Sequence, residues 1–203
     1  MAENFLDKAY DNASDDTRDL YAQWSASYDQ EVGGKGYATP ARTAKALAGL
    51  VKDLSTPVLD YGCGTGLSGI ALRAVGFSAL HGIDVSNEMV AIAKEKDAYQ
   101  TLEVFDPELG PPIKTGQFRV ITAIGVIGIG AAPLPLFDTI MNLLESDGLF
   151  AFSFNDHALA DPAFEAKVSD YVNNGKAKLL LREYGDHLPG VGLKSNVYIL
   201  KKL

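Results

Sequence analysis

From Val58 onward, short apolar runs of β-forming residues alternate with segments in which apolar positions recur every three to four residues. That alternation predicts a mostly parallel sheet wrapped by crossover helices, because each period-two run must bury its faces against period-3.6 segments. Strands are expected over 58–61, 79–84, 101–105, 119–124 and 149–154, and helices over 68–75, 87–96, 134–144 and 162–172. Gly148, after Glu145, Ser146 and Asp147, reads as the stop between a helix and the next strand. The last segment breaks the rhythm. Runs 178–184 and 196–201 both read as strands, and the Gly/Pro-rich connection 185–192 is too short for a crossover helix, so this pair is expected to be antiparallel. Ahead of the sheet, Thr39-Pro40 reads as a helix start, with Ala44, Leu47 and Val51 as an apolar stripe running to about Lys52. A further helix is expected over 21–28, with Tyr21, Trp24 and Tyr28 on one face. The expected organisation is a helical lid or cap over 1–54 and a Rossmann-like α/β domain over 55–203, with no internal repeat.

One stretch departs from ordinary strand-to-helix punctuation. Val58-Leu59-Asp60-Tyr61-Gly62-Cys63-Gly64-Thr65-Gly66 is an apolar strand that acquires a carboxylate and opens into three alternating glycines. Missing Cβ atoms let the backbone approach a bulky ligand and permit positive φ. A dinucleotide loop places its third glycine one residue later, where this chain has Leu67, and a carboxylate at Asp60 would repel a diphosphate. The same carboxylate would favour the cationic amino group and sulfonium of S-adenosylmethionine. Asp84 ends the next strand about 20 residues on, where a carboxylate accepts both ribose hydroxyls. After Val85, Ser86 reads as an N-cap that places Met89 one turn in, against an adenine. Asp106, following Phe105, is either an adenine contact or the start of a turn.

Composition narrows the chemistry further. With 203 residues and 47% hydrophobic, the chain can bury a full core. Its net charge of −8 makes a phosphate-neutralising face, and hence a nucleic-acid partner, unexpected. The single cysteine, Cys63, rules out an internal disulfide and speaks against a Cys-based zinc site; with no basic neighbour it reads as a small spacer. No run reaches the roughly 20 apolar residues that span a bilayer, and the N-terminus has no apolar signal region, so a cytoplasmic protein is expected. His81, His157 and His187 stand at no metal-ligand spacing, and no metal is expected.

The glycine loop, with Asp84-Val85-Ser86 and Met89 behind it, resembles the cofactor site of class I S-adenosylmethionine-dependent methyltransferases. Tyr21-Ala22-Gln23-Trp24-Ser25-Ala26-Ser27-Tyr28-Asp29, Gly36-Tyr37, Pro40, Ala98-Tyr99 and Ile124-Gly125-Val126 are similar to the Williams-Beuren region methyltransferase-like family, and the similarity runs to about Asn155. The resemblance implies a seven-stranded sheet with an antiparallel C-terminal hairpin, and a Tyr28 that reaches the cofactor from an N-terminal helical lid. One departure is Phe118-Arg119-Val120, where relatives have an acid at the second position. The cofactor contacts so expected are Tyr21, Trp24, Tyr28, Asp60, Gly62, Cys63, Gly64, Thr65, Gly66, Leu67, Asp84, Val85, Ser86, Met89, Phe105, Asp106, Gly125 and Val126.

The aromatic stripe has a plainer reading as core, and Gly125 to Gly130 reads either as a floor beneath the transferred methyl or as a tight loop. Asn155-Asp156-His157, after the fifth strand, reads as a turn or as a group at the ligand-binding edge. The acceptor expected is a small molecule with an oxygen, nitrogen or thiol nucleophile, since no Asn-Pro-Pro-aromatic segment and no Pro-Cys pair is present. No catalytic residue is assigned, because a sulfonium methyl is already electrophilic and a base is optional. A nicotinamide-dependent oxidoreductase and a non-catalytic S-adenosylmethionine-binding protein remain the alternatives.

Overall fold

A computed structural model describes residues 17–203, with side chains from Ala22 onward, so the expected contact at Tyr21 lies outside the described side chains. Helices α1 (Thr17–Gly34) and α2 (Thr39–Ala48) lead into β1 (Val58–Tyr61), α3 (Leu67–Ala74), β2 (Leu80–Asp84), α4 (Asn87–Glu95) and β3 (Thr101–Val104). The chain continues through β4 (Val120–Ala123), α5 (Leu136–Leu143), β5 (Leu149–Asn155), α6 (Asp156–Leu159), α7 (Pro162–Asn173), β6 (Ala177–Leu188) and β7 (Leu193–Lys202). The seven strands stand in the order β3-β2-β1-β4-β5-β7-β6. Strands β1 to β5 run parallel, and β7 runs antiparallel to both β5 and β6. The fold is thus the expected Rossmann-like α/β sheet with an antiparallel C-terminal hairpin.

Alternation along each strand sends side chains to opposite faces, and the two faces build two cores. Phe150, Phe152 and Phe154 of β5 join Phe137 of α5 and Tyr198 of β7 in one cluster, where the Phe152 and Tyr198 rings stack at 4.9 Å. Their neighbour Ala151 faces the other cluster, with Ala44 and Leu47 of α2, Leu72 of α3 and Val90 of α4. Helix α2 is therefore built into one layer of the sheet, whereas α1 lies over the glycine loop and packs on α4.

Three elements differ from the pattern reading. Helix α2 stops at Ala48, not Lys52: Gly49 follows the last core-facing residue, Leu47, and Leu50 is already exposed. Residues 156–159 form a short helix rather than a turn, because the Asn155 side-chain oxygen accepts from Ala158 N–H and caps it. The hairpin strands reach much further than expected, leaving only a 3₁₀ turn at Pro189–Val191 and Gly192 between them. Gly185 looks like loop chemistry in sequence, yet it pairs with Ser195; a Cβ there would stand 2.9 Å from the Arg42 guanidinium. That extension carries His187 inward, where it is 5% exposed. Among the described residues, no helix is long and apolar enough to cross a membrane.

Candidate functional site

The sheet order reverses between β1 and β4, and open α/β sheets bind ligands in the crevice at the carboxyl ends of the strands at that point. A cavity of about 400 Å³ lies there, within the range of small-molecule sites. Its floor is the turn after β1. Gly62, Gly64 and Gly66 adopt φ of 72°, 52° and 90°, all in the left-handed region that favours glycine. A Cβ on Gly62 would stand 2.6 Å from a Val126 methyl, so this glycine lets two loops touch. A Cβ on Gly64 would meet nothing within 4 Å: this residue lines the cavity, and its missing side chain is ligand space.

Asp84, at the end of β2, faces the cavity and braces its floor. Its Oδ2 accepts from Gly64 N–H at 2.8 Å and its Oδ1 from Ser86 N–H at 2.9 Å. Burial pushes its carboxyl above the usual carboxylate range, opposed by the backbone N–H groups of Ser86, Gly64 and Val85. Ser86 caps α4 by accepting from Met89 N–H, and Val85, Met89 and Phe105 supply apolar wall. Cys63, Thr65, Leu67, Gly125, Val126 and Tyr28 line the cavity as well. Burial raises the Cys63 thiol well above its ordinary value, with Asp60 and Asp84 adding to the effect, so it is an inert spacer.

Four expected contacts are placed elsewhere. Asp60 points to the far side of the loop, fully buried and outside the cavity wall. Its oxygens accept from Ser68 Oγ at 2.5 Å, Tyr99 Oη at 2.6 Å and Thr122 Oγ1 at 2.8 Å. The direct attraction to a sulfonium read from the sequence is thereby corrected. Asp60 ties β1, α3, β4 and the segment before β3 into one base for the loop, and burial outweighs these bonds to raise its pKa. Gly66 makes room for Ala93 and Tyr99 behind the loop. Asp106 is exposed and starts a turn by accepting from Glu108 N–H at 2.9 Å. Trp24 is buried against Tyr28 and lines a smaller adjoining chamber rather than the main cavity.

The pattern reading missed the far wall. Pro107, Gly110 and Pro111 after β3, and Ala131 to Pro133 with Leu136 and Thr139 after β4, close the cavity. Proline and glycine clustered at the carboxyl ends of strands were the available signal. It also missed a latch: Thr65 Oγ1 donates to Asp29 at 2.6 Å, Lys96 pairs with Asp29, and Lys96 Nζ donates to Thr65 O at 2.5 Å. Helix α1 is thus pinned across the glycine loop.

The only charged residue lining the cavity is Asp84; no Lys, Arg or His faces it among the described residues. A pyrophosphate would meet a carboxylate and no counter-charge, whereas a ribose finds an acceptor and an adenine finds apolar walls. Among the described residues, no cluster of His, Cys, Asp and Glu has the geometry to hold a metal ion.

Comparison with known proteins gives a matching picture. A family model described as "Methyltransferase domain" matches residues 35–189. Methyltransferase-like protein 27 of Homo sapiens is 34% identical over 117 residues, 56% of this chain and 48% of that protein. The 18S rRNA (guanine(1575)-N(7))-methyltransferase of Saccharomyces cerevisiae is 28% identical over 128 residues, 56% of this chain and 46% of that protein. The chain thus spans about half the length of these curated relatives. Among solved structures, magnesium protoporphyrin IX methyltransferase from Synechocystis PCC 6803 with bound S-adenosylmethionine superposes with a TM-score of 0.67. That likeness covers 95% of this chain and 100% of the other at 17% identity, and it shows a shared fold.

Proposed function

We propose, from the premise that this chain belongs to the methyltransferase-domain family, that it binds S-adenosylmethionine in the β1/β4 cavity and transfers its methyl group to a small molecule. One observation carries the reading: among the described residues, Asp84 is the single charged wall of the cavity over the open Gly64 position. When bound, the cofactor would supply an electrophilic methyl on its sulfonium, which an acceptor lone pair would take as the neutral thioether leaves. The chain's own residues bind, orient and exclude water. Asp84 accepts the ribose hydroxyls, Val85, Met89 and Phe105 enclose the adenine, and the glycine loop passes beneath. Helix α1 serves as the lid, with Tyr28 on its underside and the Asp29 latch holding it down.

A small acceptor is supported by the net charge of −8 and by an adjoining chamber with no Lys or Arg in its wall among the described residues. The yeast relative named for 18S rRNA makes a macromolecular acceptor the reading to test against. Calorimetric titration with S-adenosylhomocysteine and with NAD separates a methyltransferase site from a nicotinamide site; binding of NAD alone would refute the proposal. Incubation with methyl-labelled cofactor and a metabolite extract is expected to yield a labelled small molecule. Label found only in RNA or protein refutes the acceptor class, and cofactor binding without any transfer points to a non-catalytic binder.

A further inference from the structure

Beside the main cavity, a second chamber of about 40 Å³ shares Tyr28, Tyr37 and Gly125 with it as common wall. Among the described residues no Asp, Glu, Lys or Arg lines this chamber; its hydrogen-bonding side chains are those of Trp24, Tyr28, Tyr37, Ser153, Asn155 and His187. The state of His187 is decided on its far side. Its Nδ1 lies 2.8 Å from Thr39 Oγ1, which lies 2.9 Å from Ser195 Oγ, to which Arg42 Nη1 donates at 3.2 Å. A guanidinium only donates, so Ser195 accepts from Arg42 and gives its own proton to Thr39, which gives its proton to Nδ1. The reverse order would leave the hydroxyl proton of Ser195, a fully buried residue, without an acceptor among the described residues. Nδ1 therefore accepts, and the neutral ring carries its proton on Nε2. Burial holds the ring neutral, lowering its pKa to about 4; Asp156 opposes this, and Arg42 and His157 reinforce it. His187 lines the chamber while Thr39, the partner of Nδ1, does not, and the ring nitrogen left over, Nε2, is a donor and not a base.

We infer that this chamber seats the methyl acceptor as a carboxylate, gripped by His187 Nε2–H and methylated to an ester. The inference rests on the transferase reading above. With an ordinary pKa near 10, an amine arrives protonated and without a lone pair, so it needs a base that the chamber does not hold. Ser153 supplies none: its Oγ accepts from Gly125 N–H at 2.9 Å. A carboxylate arrives already ionised. In the transfer, one carboxylate oxygen forms the new C–O bond as the C–S bond breaks and its electron pair stays on sulfur. The anion and the sulfonium neutralise each other, and no proton moves. Burying the carboxylate is offset by the His187 donor and by the cation in the adjoining cavity.

The test starts from protein saturated with sinefungin, whose protonated amine replaces the sulfonium. Benzoate, benzamide and benzylamine are titrated in while the ¹⁵N signals of the His187 ring are followed. The expected result is a proton on Nε2 and a bare Nδ1, an Nε2–H signal that moves with benzoate, and at least tenfold weaker binding of benzylamine. In a second arm, product made from labelled S-adenosylmethionine and a small-molecule extract is expected to release its label as methanol in mild alkali. His187→Leu should lower this ester formation at least tenfold and His187→Gln, which keeps an N–H donor, should recover part of it, with sinefungin affinity reporting that each variant folds. A proton on Nδ1, a preference for benzylamine, silent His187 signals or alkali-stable label each overturns the inference while leaving the transferase reading intact. Failure of sinefungin to bind sinks that reading instead.

Discussion

Replacement of Asp84 tests the site most directly, because this side chain is assigned two tasks at once. Its oxygens accept Gly64 N–H and Ser86 N–H, one each, and every carboxylate oxygen has a second lone-pair position for a ribose hydroxyl. Asp84→Asn keeps the shape but turns one acceptor into an NH₂ group, which then faces either a backbone N–H or a ribose hydroxyl. Losing one charge-assisted hydrogen bond costs about 1.5 to 3 kcal/mol, which is roughly 10- to 100-fold in affinity. Asp84→Ala removes both acceptors and also frees the Gly64 N–H, so its loss of affinity should exceed that of Asn. The assay is calorimetric titration of S-adenosylhomocysteine into each variant, with urea midpoints confirming that the fold is kept. An affinity within twofold of the parent protein in a folded Asp84→Ala variant would show that the ribose is not held at β2, and the proposed binding mode would fall.

Other perturbations separate the loop, the lid and the hairpin. Gly64→Val should fold with a modest penalty for its φ of 52°, since no atom lies within 4 Å of a Cβ there, and should lose S-adenosylhomocysteine binding altogether. Gly62→Ala should instead lower the melting temperature, because its methyl meets Val126 at 2.6 Å. Asp29→Ala should change stability by less than about 1 kcal/mol, as expected for a partly exposed pair, yet speed S-adenosylhomocysteine release in stopped-flow. An unchanged release rate would show that α1 is not a latched lid. The pKa of His187 falls from 6.5 to about 4 on folding, so between those values the unfolded chain binds the extra proton and stability drops as pH falls. That window is worth about 3 kcal/mol, fully present above pH 6.5, and urea midpoints from pH 7 to 4 should show the loss in the parent protein and not in His187→Gln.

The parallel strands and their helices were legible because burial forces a period on the chain: residues 58–61 and 120–123 are buried throughout and mostly apolar, since both of their faces are covered. The hairpin was underestimated for the opposite reason. Gly185, Asp186 and Pro189 have loop composition, and only pairing with β7 and the bulk of Arg42 above Gly185 make a strand of 177–188. The acid of the glycine motif shows the same limit at a single residue. Asp60 was recognisable as a fixture of the loop, but one residue of register decides which way a strand side chain points, and here it points to Ser68, Tyr99 and Thr122.

By itself the sequence determined the sheet, the glycine floor and the carboxylate at Asp84, because these follow from local periodicity and from conformations that only glycine adopts readily. Only the tertiary structure decided which groups meet across long stretches of chain: Asp29 with Thr65 and Lys96, and Thr39 with His187 and Ser195. Residues 148 and 156 positions apart leave no periodic trace in one another's neighbourhood. Their encounter is set by how α1 and α2 seat against the sheet and its extended hairpin, and a buried hydroxyl relay or a latched carboxylate exists only once that packing has excluded water.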